Sequence, residues 1–190
     1  MATITAITPP DRNGLATDLM PMFKTHVRVE FDRDDDYLKL CLVRALDFFE
    51  RTTEFRVFAA QYTWTPEPFT AGGDPVPFPI QPISEWAAQT AGGTDTSTHY
   101  RFIGTMDIDN QTVPQLLQLL KGEEMTEGEN ITFAVGFADK DSIPPGVVDV
   151  GFRIGAHLYE NREITSLTGV DQMNPGYFNS LLSGFWRPKA

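Results

Sequence analysis

Two consecutive prolines, Pro144 and Pro145, followed by an amphipathic pattern that runs to Arg162, constrain this chain more than any other feature. Proline suits the first turn of a helix, where its missing N–H removes no intrahelical bond and its φ is already set. The spacing predicts a helix over Val147 to Arg162. At about 100° per residue, Val147, Val148, Val150, Phe152, Ile154, Leu158 and Tyr159 spread over a broad apolar arc. Asp149, Arg153, His157 and Glu160 form the opposing polar stripe, with Asp149 and Arg153 one turn apart at ion-pair spacing. Gly151 and Gly155 fall inside the apolar arc. Glycine costs about 1 kcal/mol in a helix interior, so two there predict that another backbone approaches closely. This is a core helix.

A second strong helix is expected over Asp34 to Thr52. It opens on the acidic run Asp32, Asp34, Asp35 and Asp36, which suits the positive end of a helix dipole. Leu38, Cys41, Leu42, Ala45, Leu46, Phe48 and Phe49 make its apolar face; Lys39, Asp47 and Glu50 face away. Leu40 and Val43 fall on the otherwise polar side and together mark a second contact surface, within the chain or between subunits. Upstream, residues 1–17 read as an extended, flexible arm with Pro9, Pro10 and Gly14 as breakers. Asp18 to His26 reads as a short helix capped by Thr17 or Asp18 and confined by Pro21. Val27, Val29 and Phe31 alternate as a brief extended piece.

The texture changes after Phe55. VFAAQYTWT (Val57–Thr65), IQPISEWAAQT (Ile80–Thr90), HYRFIG (His99–Gly104) and ITFAVGF (Ile131–Phe137) have strand composition, between prolines and the turn pairs Gly72-Gly73 and Gly92-Gly93. PQLLQLLK (Pro114–Lys121) reads as a helical turn at best, and GEEMTEGEN (Gly122–Asn130) as a solvated acidic loop. After Glu163 a polar linker leads to Asn174 and Pro175, a plausible cap and first turn. The closing segment is crowded with aromatic side chains that must be buried on the parent domain or on a partner. The expected class is α+β: a small α-helical bundle (18–54 and 143–163) with a β-rich insertion (55–142) between its two main helices, a flexible N-terminal arm (1–17), and a linker and C-terminal anchor segment (164–190).

Composition narrows the chemistry. The 190 residues carry a net charge of −11, which argues against a sequence-reading nucleic-acid binder, since that needs a basic footprint. An acidic surface does suit a protein past which DNA slides, because like charge suppresses contact. No apolar run approaches the roughly 20 residues of a membrane helix. The single cysteine, Cys41, excludes an intramolecular disulfide framework and reads as a buried structural thiol.

His157, Glu160 and Glu163 share helical spacing, but a metal site needs three or four convergent ligands, and His26, His99 and His157 pair with none at ligand spacing. The acidic clusters at 32–36 and 123–129 fall in segments expected to be exposed, where pKa values stay ordinary. No nucleophile elbow, phosphate loop, dinucleotide fingerprint or C-x-x-C occurs. Tyr62, Trp64, Trp86, Tyr100 and Phe102 read as strand-face core more readily than as a sugar groove. No catalytic, metal or cofactor-binding residue is assigned, and the chain reads as noncatalytic.

The order of segments carries a resemblance. FKTHVRVE (residues 23–30) is followed by the acidic break and a helix ending FFER, then QYTW and FPIQPISEW. Later come VGFADKDSIPPGV, AHLYENRE and finally PGYFNSLLSGFWR. Over residues 18–188 this resembles the head-to-tail connector (adaptor) proteins of long-tailed bacteriophages. Its most specific parts are Ile143-Pro144-Pro145, Leu158 to Glu163, and Leu181, Leu182 and Arg187. The long Pro/Gly-rich insert and the extended N-terminal arm depart from the pattern.

The resemblance implies a structural virion protein at the neck, or portal vertex, assembled in the host cytoplasm. It implies a homo-oligomeric ring of about twelve copies beneath the portal, with a stopper or tail-completion protein on the other face and genomic double-stranded DNA passing through the lumen without sequence-specific binding. No membrane partner is implied. Contacts with portal or a neighbouring subunit would fall to Tyr177, Phe178, Leu181, Leu182, Phe185, Trp186 and Arg187, and to Leu40 and Val43. Pro144, Pro145, Gly151, Gly155, Tyr159, Glu160, Asn161 and Arg162 would fix the bundle. Another neck or tail component, or a carbohydrate-binding module, is the alternative.

Overall fold

The computed structural model describes residues 2–68, 72–103, 115–161, 180, 182 and 185. Among them the chain is α+β and divides into two compact units. One takes Met1–Pro10 and Phe58–Gly136; the other takes Asp11–Val57 and Phe137–Ala190.

The first unit is all β among its described residues, apart from one turn of 3-10 helix at Ser97–His99. Its strands are β1 (Thr3–Thr8), β2 (Ala60–Thr65), β3 (Val76–Pro77), β4 (Ile83–Gln89), β5 (Tyr100–Ile103), β6 (Leu116–Leu119) and β7 (Asn130–Val135). They form two sheets, of order β1-β2-β7-β4 and β3-β6-β5, and every pairing is antiparallel. Trp64, Phe78, Tyr100, Leu117, Leu119, Ile131, Phe133 and Val135 from both sheets share one core. The alternation in β7 shows why: Ile131, Phe133 and Val135 are buried while the residues between them are half-buried, the period-two signature of a pleated strand. Where β7 ends, Gly136 adopts φ +75°, and a Cβ there would collide with the Phe58 carbonyl, so the position demands glycine.

Two sequence expectations fail in this unit. The expected arm over 1–17 is divided: Thr3–Thr8 pair with β2, Ile4 opposite Trp64, and the first helix starts before residue 17 is reached. A β-branched run such as TITAIT has strong strand preference, and β2 offers it an edge. PQLLQLLK supplies a strand, not a helical turn, over Leu116–Leu119. Leu117 and Leu119 are buried while Leu116 and Gln118 between and before them are half-buried, the alternation of a pleated strand.

Among the described residues, the helices of the second unit with defined limits are α1 (Arg12–Val27), α2 (Asp35–Thr53) and α3 (Pro145–Glu160). α1 starts six residues earlier than expected because the Asp11 carboxylate caps it, accepting from the Gly14 N–H at 2.9 Å. Pro21 sits inside it on the solvent side. The extended piece expected at Val27–Phe31 is replaced by a helix stop. Arg28 turns left-handed at φ 58°, and the Val29 N–H returns to the Lys24 carbonyl at 3.0 Å, which satisfies an orphan carbonyl of the last turn. α2 and α3 lie within a residue or two of their expected limits. Leu19 and Phe23 of α1, Leu38, Leu42, Leu46 and Phe49 of α2, and Ile154 and Leu158 of α3 are buried almost completely, each worth about 1.5–3 kcal/mol of transfer free energy. Cys41 is among the buried residues of α2.

Candidate functional site

Pro144 occupies the N-cap position of α3, and its carbonyl accepts from Val147 and Val148 at 2.9 and 3.2 Å. The polar stripe forms as expected on one point: Arg153 Nε donates to Asp149 Oδ2 at 2.8 Å. His157 has a local role. Its carbonyl accepts from both the backbone N–H and the side-chain amide of Asn161, at 3.0 and 2.9 Å, closing the last turn. Glu160 is exposed, and Glu163 and Arg162 lie outside the described residues. Among the described residues no three His, Cys, Asp or Glu converge as metal ligands.

The glycine pair marks close approaches, but of side chains and to two helices. A Cβ on Gly151 would come within 2.7 Å of Leu46 Cδ2 on α2. One on Gly155 would lie 2.9 Å from Phe23 Cζ on α1, with Ala45 Cβ of α2 at 3.7 Å. The glycines therefore leave room for a ring and a methyl, not for a crossing backbone. Tyr159, expected in the apolar arc, is half-buried; its ring lies 6.0 Å from that of Tyr37 and its hydroxyl donates to Asp34 at 2.9 Å.

Of the expected contact residues, Leu40 is exposed at 42% and Val43 is half-buried on the outer side of α2. Leu182 is fully buried, and the Phe185 ring lies 5.2 Å from Phe49 and 6.3 Å from Phe55. In the chain on its own the Phe185 ring therefore packs within the helical unit. Tyr177, Phe178, Leu181, Trp186 and Arg187 lie outside the described residues. In the β unit Trp64 and Tyr100 are buried in the core, and Tyr62, Trp86 and Phe102 pack against it half-buried.

Two buried carboxylates escaped the sequence reading. Glu50, expected to face away from α2, is 3% exposed. After α2 stops, Glu54 turns left-handed at φ 60° and the chain folds back. The Val57 N–H then reaches Glu50 Oε1 at 2.7 Å, and Arg56 Nη1 lies 3.3 Å from Oε2. Glu129, expected in a solvated loop, is fully buried. Its Oε1 accepts from Thr96 Oγ1 and from the Tyr100 hydroxyl at 2.9 Å, and its Oε2 from the Thr126 N–H at 2.9 Å. Burial, and next the Glu129 carboxylate, push the Tyr100 phenol well above its usual range. These carboxylates satisfy buried donors and hold loops to their units.

No family model matches the chain, and no curated protein resembles it detectably in sequence. Solved structures do resemble it in fold. A chain of the virion of a native gene transfer agent particle is similar at TM-score 0.68 and 20% identity, over 99% of this chain and 97% of that one. A chain of the neck of the native particle, computed with C12 symmetry, gives TM-score 0.64 at 19% identity. A chain of the neck of the empty particle, computed with C6 symmetry, gives 0.69 at 18%. Coverage is the same 99% and 97% in both. At these identities the likeness is one of fold.

Proposed function

We propose that this chain is a structural neck component of a tailed-phage-like particle, a head-to-tail connector (adaptor) that assembles as a ring beneath the portal. The observation that carries the reading is the end-to-end fold similarity to chains of particle necks, over 99% of this chain and both of its units. Symmetry of order twelve and six in those necks suits a ring of about twelve copies. One face of the ring meets the portal, the other a stopper or tail-completion protein, and double-stranded DNA crosses the lumen. A net charge of −11 fits that passage, because an acidic surface gives phosphate no counter-charge to hold. The reading asks for no catalysis.

Imaging of particles carrying a tagged copy of the chain tests this. The tag is expected at the head–tail junction, and particles lacking the chain are expected to show filled heads without attached tails. A tag on the shell, the tail tip or a fibre would overturn the connector assignment. Deletion of residues 174–190 is expected to abolish portal attachment; normal attachment would remove the terminal segment from the portal contact.

A further inference from the structure

We propose that β1 is an exchanged strand: residues 3–8 of one copy of this chain pair with β2 of a second copy and complete its sheet. β1 is an edge strand by position, since the sheet runs β1-β2-β7-β4. All six of its side chains are exposed, Ile4 by 45% and Ile7 by 52%. Among the described residues, the core shared by the two sheets draws on β2, β4, β5, β6 and β7 and takes nothing from β1. What holds β1 to its unit is therefore the backbone ladder to β2, from Thr3 opposite Thr65 to Thr8 opposite Gln61. On leaving, the strand gives up those backbone bonds and little buried apolar surface of its own. An identical ladder on another copy restores every bond.

The chain also lacks the device that keeps many edge strands on their own sheet. A hairpin turn fixes a strand beside its neighbour, but β1 and β2 are joined through residues 9–59, which include α1 and α2. The chain leaves the β unit for the helical unit between Pro10 and Asp11. Pro9 and Pro10 favour an extended junction, because each fixes its own φ and disfavours helical backbone in the residue before it. The sequence itself names the occupant. β2 already receives TITAIT in one register, so the segment that fits a vacated β2 edge is the same segment of another copy. It carries no charge, and so adds no repulsion between copies that each carry a net −11. Exchange of an identical element is a low-cost route to assembly, and a head-to-tail series of such exchanges can close into a ring. Exchange needs only two copies of the chain and is independent of the neck reading.

The purified full-length chain provides the test, through single substitutions at facing positions, Thr5→Cys and Thr63→Cys. Directly opposite residues of an antiparallel pair stand about 4.5–5.5 Å apart at Cα, within disulfide reach, and the native Cys41 is buried. The two variants are mixed at the highest soluble concentration, oxidised gently and separated under denaturing, non-reducing conditions. A mixed disulfide between the two chains is expected as the dominant cross-link. Thr5→Cys mixed with Thr132→Cys, one strand further in, is expected to give only collisional background. Removing residues 1–8 from the Thr63→Cys chain vacates its β2 edge. That is expected to raise the mixed disulfide by about tenfold or more, since the chain's own strand otherwise competes at an effective concentration of millimolar order. Circular dichroism checks that the shortened chain is folded; if it is not, the full-length mixture decides alone. No mixed disulfide above background, in a mixture where a chain carrying both cysteines closes internally, would overturn the proposal. So would an unchanged yield from the shortened, folded acceptor. A Thr5→Cys homodimer as the main product would overturn it too, because that is edge-to-edge pairing of two β1 strands.

Discussion

The Tyr159 hydroxyl donates to Asp34 Oδ2 at 2.9 Å across 125 residues of sequence, joining the last turn of α3 to the residue that precedes α2. The Tyr37 hydroxyl, on α2, reaches the Leu158 carbonyl at 3.4 Å from the other side. The two helices are thus tied at one end by polar bonds and along their length by apolar packing. Tyr159→Phe keeps the ring contact with Tyr37 and removes only the bond to a carboxylate. It is expected to destabilise the helical unit by about 1–2 kcal/mol, as partly buried hydrogen bonds to charged groups do. The midpoint of urea unfolding checks this, with an unchanged slope.

The two glycines of α3 separate by experiment. Alanine at either gains about 1 kcal/mol of helix propensity. At Gly151 the new Cβ meets a single methyl at the end of the buried Leu46 side chain, with its Cγ already at 3.7 Å. At Gly155 it meets the rim of the Phe23 ring, fully buried and itself packed 5.3 Å from the Phe152 ring. Gly155→Ala is therefore expected to be net destabilising by about 1–3 kcal/mol, the usual cost of overpacking, and Gly151→Ala to be clearly milder. Equal losses in thermal or urea unfolding would refute the ring-and-methyl account of the pair.

This pair also shows how far the sequence could be read. Glycine inside an apolar arc signals that something comes close, and both positions were legible from spacing alone. What comes close was not: Phe23 fell within the expected helix Asp18 to His26, but periodicity along one helix does not say which side chain of another packs against it. The apolar faces of α2 and α3 and four of the strands were readable because periodicity reports burial directly. β1 and β6 were not: six β-branched or small residues and a leucine pair take their conformation from the strands beside them. Of the candidate surfaces, Leu40 and Val43 were legible as apolar residues on a polar side.

Glu50 tests a different kind of error. Composition places a glutamate late in a helix on the surface, yet here its carboxylate takes the Val57 N–H and faces Arg56. Glu50→Ala would leave a buried backbone donor and a half-buried guanidinium without an acceptor, and is expected to cost about 3 kcal/mol. Glu50→Gln keeps one acceptor oxygen for the amide and is expected to cost less than half as much. Urea unfolding of both variants gives the ratio; equal costs would mean that charge, not the backbone bond, is what Glu50 supplies.

Tyr100 gives the β unit a dependence on alkaline pH whose sign is fixed by its surroundings. In the unfolded chain the phenol loses its proton near its ordinary pKa of 10.0; in the folded chain burial, and next the Glu129 carboxylate, hold the proton on to higher pH. A group whose pKa rises on folding contributes its full stability below the unfolded pKa and loses it as pH climbs toward the folded one. Above about pH 10 the unfolded state therefore binds fewer protons than the native state, and unfolding becomes easier with each step of pH. Tyr100→Phe removes the titrating proton together with one donor to Glu129. The variant is expected to be less stable than wild type near neutrality and to show a shallower loss through the alkaline range, so that the two stabilities converge. Urea unfolding of both chains from about pH 8 to 11, across the phenol's ordinary range, measures this. Parallel curves would mean that the buried hydroxyl does not carry the alkaline sensitivity.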